Sequence, residues 1–489
     1  MTRRRLIRHW ITSGFIKKKD NETLEQVAEG YLIDLVNRSL LQVVRKNESG
    51  RVKRCRMHDV IRRLAIEKAA KERFGVVYEG HGTLEVHGTR RLSIQSTDIA
   101  LINQPGARHL RAVYVFMSSV DIVSLKPILT SSILLSTLDL QGTEIKVLPN
   151  EVFNLLNLRF LGLRDTRIEI LPEAIGRLQN LEILDTAHSC LLSLPKDVAK
   201  VNKLRYLYAT VEVTEGCIIL RRGVKVPGGI RNLTGLHVLQ NIKASSETLH
   251  DIAALTELRK LGVDGLTSEH SLSLRNALLN MKNLVSLVMK TSNENEVLPL
   301  EELCLPETLS KLALTGQLEK ERMPRILSSW LHPNNLTDLH LTFSKLDGKS
   351  FSNLMVLQNL CFLTLFKAYD GRTLCFSRQS FPRLRFLKIL DAPHLNQVEI
   401  EEDALGSLVT LKFSECPEMK RLPQGIEHLR ALDNIYLQNT VYELIEMLRK
   451  EHETAECKQE LMKIGHIRRV IIVSTEKNFW RRIIFRGNE

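Results

Sequence analysis

Leucines recur along most of this chain at an interval that ordinary amphipathic helices and strands do not set. Leu135 opens LSTLDL, Leu158 opens LRFLGL, Leu181 opens LEILDT and Leu204 opens LRYLYA, each start 23 residues after the last. The dipeptide Leu-Pro keeps the same interval at Leu148-Pro149, Leu171-Pro172 and Leu194-Pro195. The frame continues more loosely from Leu236, Leu258, Leu284, Leu309, Leu336, Leu360, Leu384, Leu408 and Leu432. Upstream it reaches Leu110, giving about 14 units, with a partial one around Leu92. Between Leu204 and Leu236 the step lengthens to 32 residues, and the surplus VEVTEGCIILRR, Val211 to Arg222, reads as an insertion.

The pattern L-x-x-L-x-L has a direct physical meaning. In a short strand the second and third leucines point inward and the residues between them outward. One such unit cannot bury its apolar face, whereas stacked units share one core and one parallel sheet. A leucine-rich helical protein would not place a proline at every 23rd position. The expected fold is therefore an α/β leucine-rich-repeat solenoid with the parallel sheet on its concave face. Counted from the first leucine, the third, fifth and seventh positions face outward. Nine of these are aromatic (Tyr114, Phe116, Phe160, Tyr206, Tyr208, Phe362, Phe366, Phe386 and Tyr436), against 5% aromatic residues over the whole chain. With Arg164 and Lys388, they form the expected ligand-binding concave face. Strands favour aromatics in any case, and a half-buried third position accounts for Phe160, Tyr206, Phe362 and Phe386 by packing alone.

Residues 1–80 lack the repeat. RRRLIRHWITSGFI reads as an amphipathic helix running to Gly14, and TLEQVAEGYLIDLVNRSLL as a second, with Leu24, Val27, Tyr31, Leu32 and Leu35 on one face. LLQVVRK and RVKRCRMHD then read as two strands around the turn NESG. A third helix starts at Asp59, whose carboxylate suits a first turn. Helix, helix, hairpin, helix is a small winged-helix pattern. The expected organisation is a winged helix over 1–80, a connector with a partial repeat over 81–109, the solenoid over 110–440 and a capping tail over 441–489. In that tail YELIEMLRKEHETAECKQELMKI reads as a charged helix and HIRRVIIVSTEKNFWRRIIF as strands; Arg468, Arg469, Arg481 and Arg482 offer an alternative contact with a membrane or an acidic partner.

Charge adds one question. Of the net +13, residues 1–80 hold 19 Lys/Arg against 10 Asp/Glu, so a basic winged helix raises DNA binding as an alternative. Its candidate recognition helix carries Glu25, Glu29 and Asp34, which argues against duplex contact. The acid-free stretch Thr2 to Lys19 resembles a mitochondrial presequence in composition. The eight cysteines form no C-x-x-C pair and read as reduced thiols of the cytosol or nucleus. No apolar run is long enough to span a membrane.

The stretch CRMHDVIRRLA, Cys55 to Ala65, looks most like chemistry. Zinc needs about four ligands, and Cys55 and His58 have no companions nearby. A Cys–His nucleophile pair needs convergence, but in a strand these two positions face opposite sides. No metal site and no catalytic residues are therefore expected, and the chain is not expected to be an enzyme. The residues alone leave a surface histidine and a helix-capping aspartate.

LIRHWITSGFI, VAEGYLIDLVNRSLLQVV and CRMHDVIRRLA, followed by an L-x-x-L-x-L solenoid with Leu-Pro steps, resemble the winged-helix and repeat parts of plant nucleotide-binding leucine-rich-repeat immune receptors of the coiled-coil class. That family usually has an acid where Ser13 stands. The resemblance implies that Met57, His58 and Asp59 sense nucleotide, with His58 beside the diphosphate of ADP and Asp59 holding the resting arrangement. It implies ADP or ATP only for a full-length receptor, and no cofactor for this chain. The phosphate loop G-x-x-x-x-G-K-[ST] is missing, because Gly348-Lys349-Ser350 has Phe343 where its first glycine should stand. The chain is thus expected to be a receptor's back part, lacking the nucleotide-binding core. The implied partners are a pathogen effector, a guarded host protein or the receptor's own N-terminal domains, with nucleic acid disfavoured. The implied location is cytoplasmic, with the plasma-membrane surface and the nucleus as alternatives. A truncated regulator of full-length receptors is the other form this function could take.

Overall fold

A computed structural model describes residues 1–439 and 455–486, apart from 21, 48–49, 81–83, 86–87, 100–101, 104–106, 216–217, 301–302, 332–334 and 477–478. The chain forms two compact units, Met1–Lys243 and Ala244–Glu489.

The first unit begins with the winged helix: α1 (Arg3–Thr12), α2 (Leu24–Asn37), an antiparallel pair β1 (Leu41–Lys46) and β2 (Val52–Met57), and α3 (Asp59–Lys71). Helix α1 stops at Thr12, two residues before the sequence pattern suggests. Gly14 at φ +74° lets its own N–H reach Ile11 and the Phe15 N–H reach Trp10, which satisfies the last carbonyls. Helix α2 is fixed by a reciprocal cap between Thr23 and Gln26. Ile7 and Ile11 of α1 pack with Val27 and Ala28 of α2, while Leu32, Leu41 and Cys55 form the adjoining cluster. Tyr31 is exposed, contrary to its expected place on the apolar face. The fully buried line of α2 runs from Ala28 to Leu32, i to i+4, and leaves Tyr31 on its flank.

The repeat strands follow. A sheet of parallel neighbours runs through β3 (Val76–Tyr78), β5 (Arg91–Ile94), β7 (Ala112–Val115), β8 (Thr137–Asp139), β9 (Phe160–Gly162), β10 (Ile183–Ser189), β11 (Tyr206–Glu215) and β13 (Val238–Lys243). A separate short parallel pair is β4 (Leu84–Glu85) with β6 (Ile102–Asn103). The 23-residue interval is the register itself: Thr137 pairs with Phe160, Phe160 with Ile183, and Ile183 with Tyr206. The insertion is a hairpin in which β12 (Ile218–Arg222) returns antiparallel along β11, and Tyr206 still pairs with Val238. Pro149, Pro172 and Pro195 each precede a 3-10 turn, as their fixed φ allows. Asn157 and Asn180 each donate to a carbonyl one coil back, satisfying groups the turns leave open.

The second unit repeats the scheme in β14 (Lys260–Leu266), β15 (Ser286–Thr291), β16 (Lys311–Thr315), β17 (Asp338–Thr342), β18 (Phe362–Phe366), β20 (Phe386–Leu390), β22 (Thr410–Ser414) and β23 (Asn434–Gln438). The pair β19 (Thr373–Phe376) and β21 (Gln397–Ile400) forms a second, two-stranded sheet. The sheet continues through β24 (Arg469–Glu476), parallel to β23, and ends on the antiparallel β25 (Phe479–Arg486). Of the expected tail helix, Ala455–Ile464 is present and residues 442–454 lie outside the described residues. Glu460 of that helix is buried and accepts from the Leu422 N–H, so the last coil is covered by an acid with a defined task. Gly348-Lys349-Ser350 begins a short helix capped by Asp347, and Phe343 occupies the left-handed position that closes β17. Among the described residues no helix is long and apolar enough to cross a membrane.

Candidate functional site

Helix α1 has a second face. Its polar positions Arg5, Arg8, His9 and Thr12 recur at three- and four-residue spacing and therefore share one stripe. Such a stripe would normally face water. Here Arg8, His9 and Thr12 are buried, although the winged-helix core lies on the other side of the helix.

The stripe meets one column of the repeat sheet. Strand register aligns the fifth positions of five successive units as Tyr114, Asp139, Gly162, Asp185 and Tyr208. The Asp139 and Asp185 side chains are fully buried. Arg5 Nε donates to Asp139 Oδ2 at 2.6 Å, and His9 Nε2 lies 2.6 Å from the same oxygen. Arg8 donates to Asp185 Oδ2, which also accepts from Arg164 Nε at 3.0 Å. The other oxygens of the two aspartates accept from the backbone N–H of Gln141 and Ala187. Burial alone would raise the Asp139 pKa. The His9 contact and the Arg5 guanidinium outweigh it and hold this carboxyl below its ordinary value.

Rings complete the surface. The His9 ring is edge-on to Tyr114 at 4.9 Å and tilted against Phe160 at 4.7 Å. The Arg8 guanidinium lies 3.9 Å above the Tyr208 ring, and that of Arg5 lies 4.7 Å above Phe116. At the centre of the column Gly162 has no side chain, and a Cβ there would come within 2.8 Å of Asp139 and 2.7 Å of the Phe160 ring. The column thus has an acid, a gap and an acid, with an aromatic at either end, and α1 supplies three cationic or protonatable groups to it.

Of the concave-face residues expected from sequence, Tyr114, Phe116, Phe160, Arg164 and Tyr208 therefore border α1 of the same chain. Tyr206 stacks on Tyr208 at 6.4 Å. In the second unit Phe362 stacks on Phe386 at 4.6 Å, and Phe386 is buried. Phe366 is 37% exposed with its ring 6.0 Å from Phe343, and Lys388 and Tyr436 are half-buried. The sequence reading missed Arg5, Arg8, His9, Asp139 and Asp185. The available signal was two acids at outward positions two units apart.

Met57, His58 and Asp59 sit at the β2–α3 junction. Met57 packs against the Leu32 cluster, and His58 caps α3 by accepting the Val60 N–H on Nδ1 at 3.4 Å. His58 and Asp59 are exposed, whereas Cys55 is buried and burial pushes its thiol pKa up. Among the described residues no group of His, Cys, Asp or Glu could hold a metal ion. Six of the cysteines are free thiols; the side chains of Cys217 and Cys457 lie outside the described residues.

Comparison with known proteins agrees with this architecture. The model of the leucine-rich repeat region matches residues 109–465, and that of the disease resistance protein winged helix domain matches residues 1–65. Disease resistance protein RPM1 of Arabidopsis thaliana is 38% identical over 464 residues, covering 92% of this chain and 48% of the relative. Probable disease resistance protein RXW24L of the same plant is 25% identical over 444 residues, covering 88% and 48%. The chain therefore spans about half the length of the curated relatives it matches. A leucine-rich-repeat protein of Leptospira interrogans is 18% identical, with a TM-score of 0.45, covering 79% of this chain and 96% of that one. With a winged helix followed by leucine-rich repeats, this chain belongs to the disease resistance protein family.

Proposed function

We propose that this chain serves plant immunity as the sensing and regulatory part of a receptor. Its repeats recognise a protein, either a pathogen effector or a host protein that an effector alters. Its winged helix is the element whose position changes when they do. The observation that carries this reading is the pairing of α1 with Asp139 and Asp185. A basic switch element rests on the same face that a repeat protein offers to ligands, so ligand and α1 compete for one surface. Differential contact of this kind is what a two-state switch requires. In the second unit, Phe362, Phe366 and Tyr436 with Lys388 form a further recognition surface in this reading.

The pairing also bears on DNA binding. Arg5 and Arg8 are neutralised within the chain, so the basic excess of the winged helix is smaller at its surface than its sequence suggests. The family resemblance implies ADP for a full-length receptor only. His58 is exposed and uses one ring nitrogen as a cap, and a single imidazole beside a helix end supplies too few contacts for a diphosphate.

The test is genetic. Plants carrying a disrupted gene are challenged with a pathogen panel, then complemented with the wild type or with Arg8→Ala/Asp185→Ala. Loss of resistance to one or more pathogens, restored by the wild type and altered in strength by the double variant, is the expected result. Unchanged resistance across the panel would remove the immune role. Full complementation by the double variant would remove the switch.

A further inference from the structure

The first unit contains a cleft of about 1000 Å³ between the winged helix and the first repeat strands. Six arginines line it, Arg5, Arg54, Arg56, Arg62, Arg91 and Arg164, against two acids, Asp59 and Asp165. Arg5, Arg62 and Arg164 pair with Asp139, Glu79 and Asp185. Arg56 has only the neutral Gln42 as a side-chain partner, at 3.1 Å. Arg54, Arg56 and Arg91 pair with no carboxylate among the described residues.

Arg91 is the most informative of them. Its guanidinium lies 4.7 Å from the Phe15 ring and 4.2 Å from the Phe74 ring, which fixes its plane. Its Nε is buried without an acceptor, and so are Arg5 Nη2 and Gln141 Nε2. All three residues line the same cleft. Burial lowers the Arg91 pKa, and a hydrogen bond with Tyr114 offsets part of that shift. Unmet N–H donors are costly in a protein interior, and here they concentrate in one place. The missing species is therefore rich in acceptors, poor in donors and multiply negative. Phosphate oxygens meet that description better than carboxylates do, because a guanidinium binds them in a fork and each group supplies several acceptors.

We propose that this cleft binds a small polyphosphorylated molecule, with Arg54, Arg56 and Arg91 as its principal ligands. Met57 and Asp59 line the cleft, whereas His58 between them does not. It adjoins the α1 pairing, since Arg5 and Arg164 line the cleft, but Arg54, Arg56 and Arg91 form no ion pair with Asp139 or Asp185. Occupancy would neutralise the face where α1 and α3 meet the first strands and so hold the winged helix to the repeats.

Calorimetric titration of the whole chain with inorganic tripolyphosphate, at about physiological ionic strength, tests this. The expected result is saturable binding of one tripolyphosphate. Arg54→Gln/Arg56→Gln, two exposed positions, should weaken it at least tenfold, and Arg91→Gln likewise. Lys17→Gln/Lys18→Gln/Lys19→Gln, which removes a neighbouring exposed basic run, should leave it within twofold. Thermal melts confirm that each variant is folded, and the Arg54/Arg56 pair carries the test if Arg91→Gln is not. Absence of saturable binding overturns the proposal. So does an equal loss in the lysine variant, which would mean general attraction to a basic surface. Hexaglutamate binding as tightly as tripolyphosphate also overturns it, by assigning the cleft to an acidic polypeptide.

Discussion

If α1 rests on the repeat face through Asp139, removing that carboxylate should release it. Asp139→Ala leaves Arg5 and His9 facing an empty, water-poor site. Two unit charges about 4 Å apart attract by about 4 kcal/mol at an effective dielectric near 20. Desolvation offsets much of that in the intact pair. Deletion of one partner still costs about 3–5 kcal/mol, because the other stays buried and alone. Arg5 retains 15% side-chain exposure and can turn toward water, which puts the expected loss at the lower end, about 3 kcal/mol. Part of it does not belong to docking: Asp139 Oδ1 also accepts the Gln141 N–H at 3.1 Å, a bond of about 1 kcal/mol.

A double-mutant cycle separates the two contributions. His9→Ala and Asp139→Ala, alone and together, should show a coupling of about 1–3 kcal/mol. Asp139 with a residue outside the contact, such as Lys203, should show none. Hydroxyl-radical footprinting of Phe160 and Tyr114 along a urea gradient provides the readout, since both rings lie against His9. A loss of 3 kcal/mol corresponds to roughly a hundredfold rise in the open population. Additive effects, with Phe160 equally protected in all four proteins, would show that α1 does not rest on this column. Gly162→Ala offers an independent check, because its new methyl intrudes between Asp139 and Phe160 while every charge is kept; it should raise Phe160 labelling in the same direction.

Three further outcomes are expected. Tyr208→Ala should weaken α1 docking and Phe366→Ala should weaken capture of a protein ligand, each by about 1–3 kcal/mol with thermal melts barely changed; normal binding in both would make these rings packing residues. The contribution of Asp139, whose native pKa is depressed, is fully present above its unfolded value of about 3.9 and is lost as pH falls through the lower native value. Phe160 labelling should therefore rise below about pH 4 in the wild type and show no such step in Asp139→Asn. Cys375 should alkylate slowly at pH 8 despite its exposure, because desolvation and Glu399, 3.3 Å away, push its thiol up to about 11; Glu399→Gln should speed the reaction, as read by mass spectrometry.

The repeats were legible because their physics is local. A leucine that must point inward every 23 residues appears in the sequence as the same number that separates Thr137 from Phe160 in the sheet. The insertion at Val211 was legible for the same reason, as residues surplus to a register. The upstream edge was legible in part: the partial unit around Leu92 is β5, whereas β3 joins the sheet without an L-x-x-L-x-L for periodicity to detect. The docked face of α1 was hidden for a different reason. Its contacts join residues 130 to 177 positions apart, and a polar stripe on a helix reads as solvated unless its partners are known.

Those partners follow a rule of their own. A parallel repeat keeps each outward position in register, so a choice made at the fifth position of one unit stands beside the same position of the next. Strands lie about 4.8 Å apart, which places Asp139 and Asp185, two strands apart, at roughly twice that spacing. Long cationic side chains three and four residues apart lie along one helix face and can bridge such a separation. A side chain between the acids would hold the helix off, and that position is Gly162. Acid, glycine and acid in one column therefore specify a helix with basic residues at i, i+3 and i+4, which are Arg5, Arg8 and His9. A ligand that displaces α1 must offer Asp139 comparable donors or leave it without a cationic partner, whereas Asp185 keeps Arg164. That penalty, rather than shape alone, is what would make release of the winged helix selective.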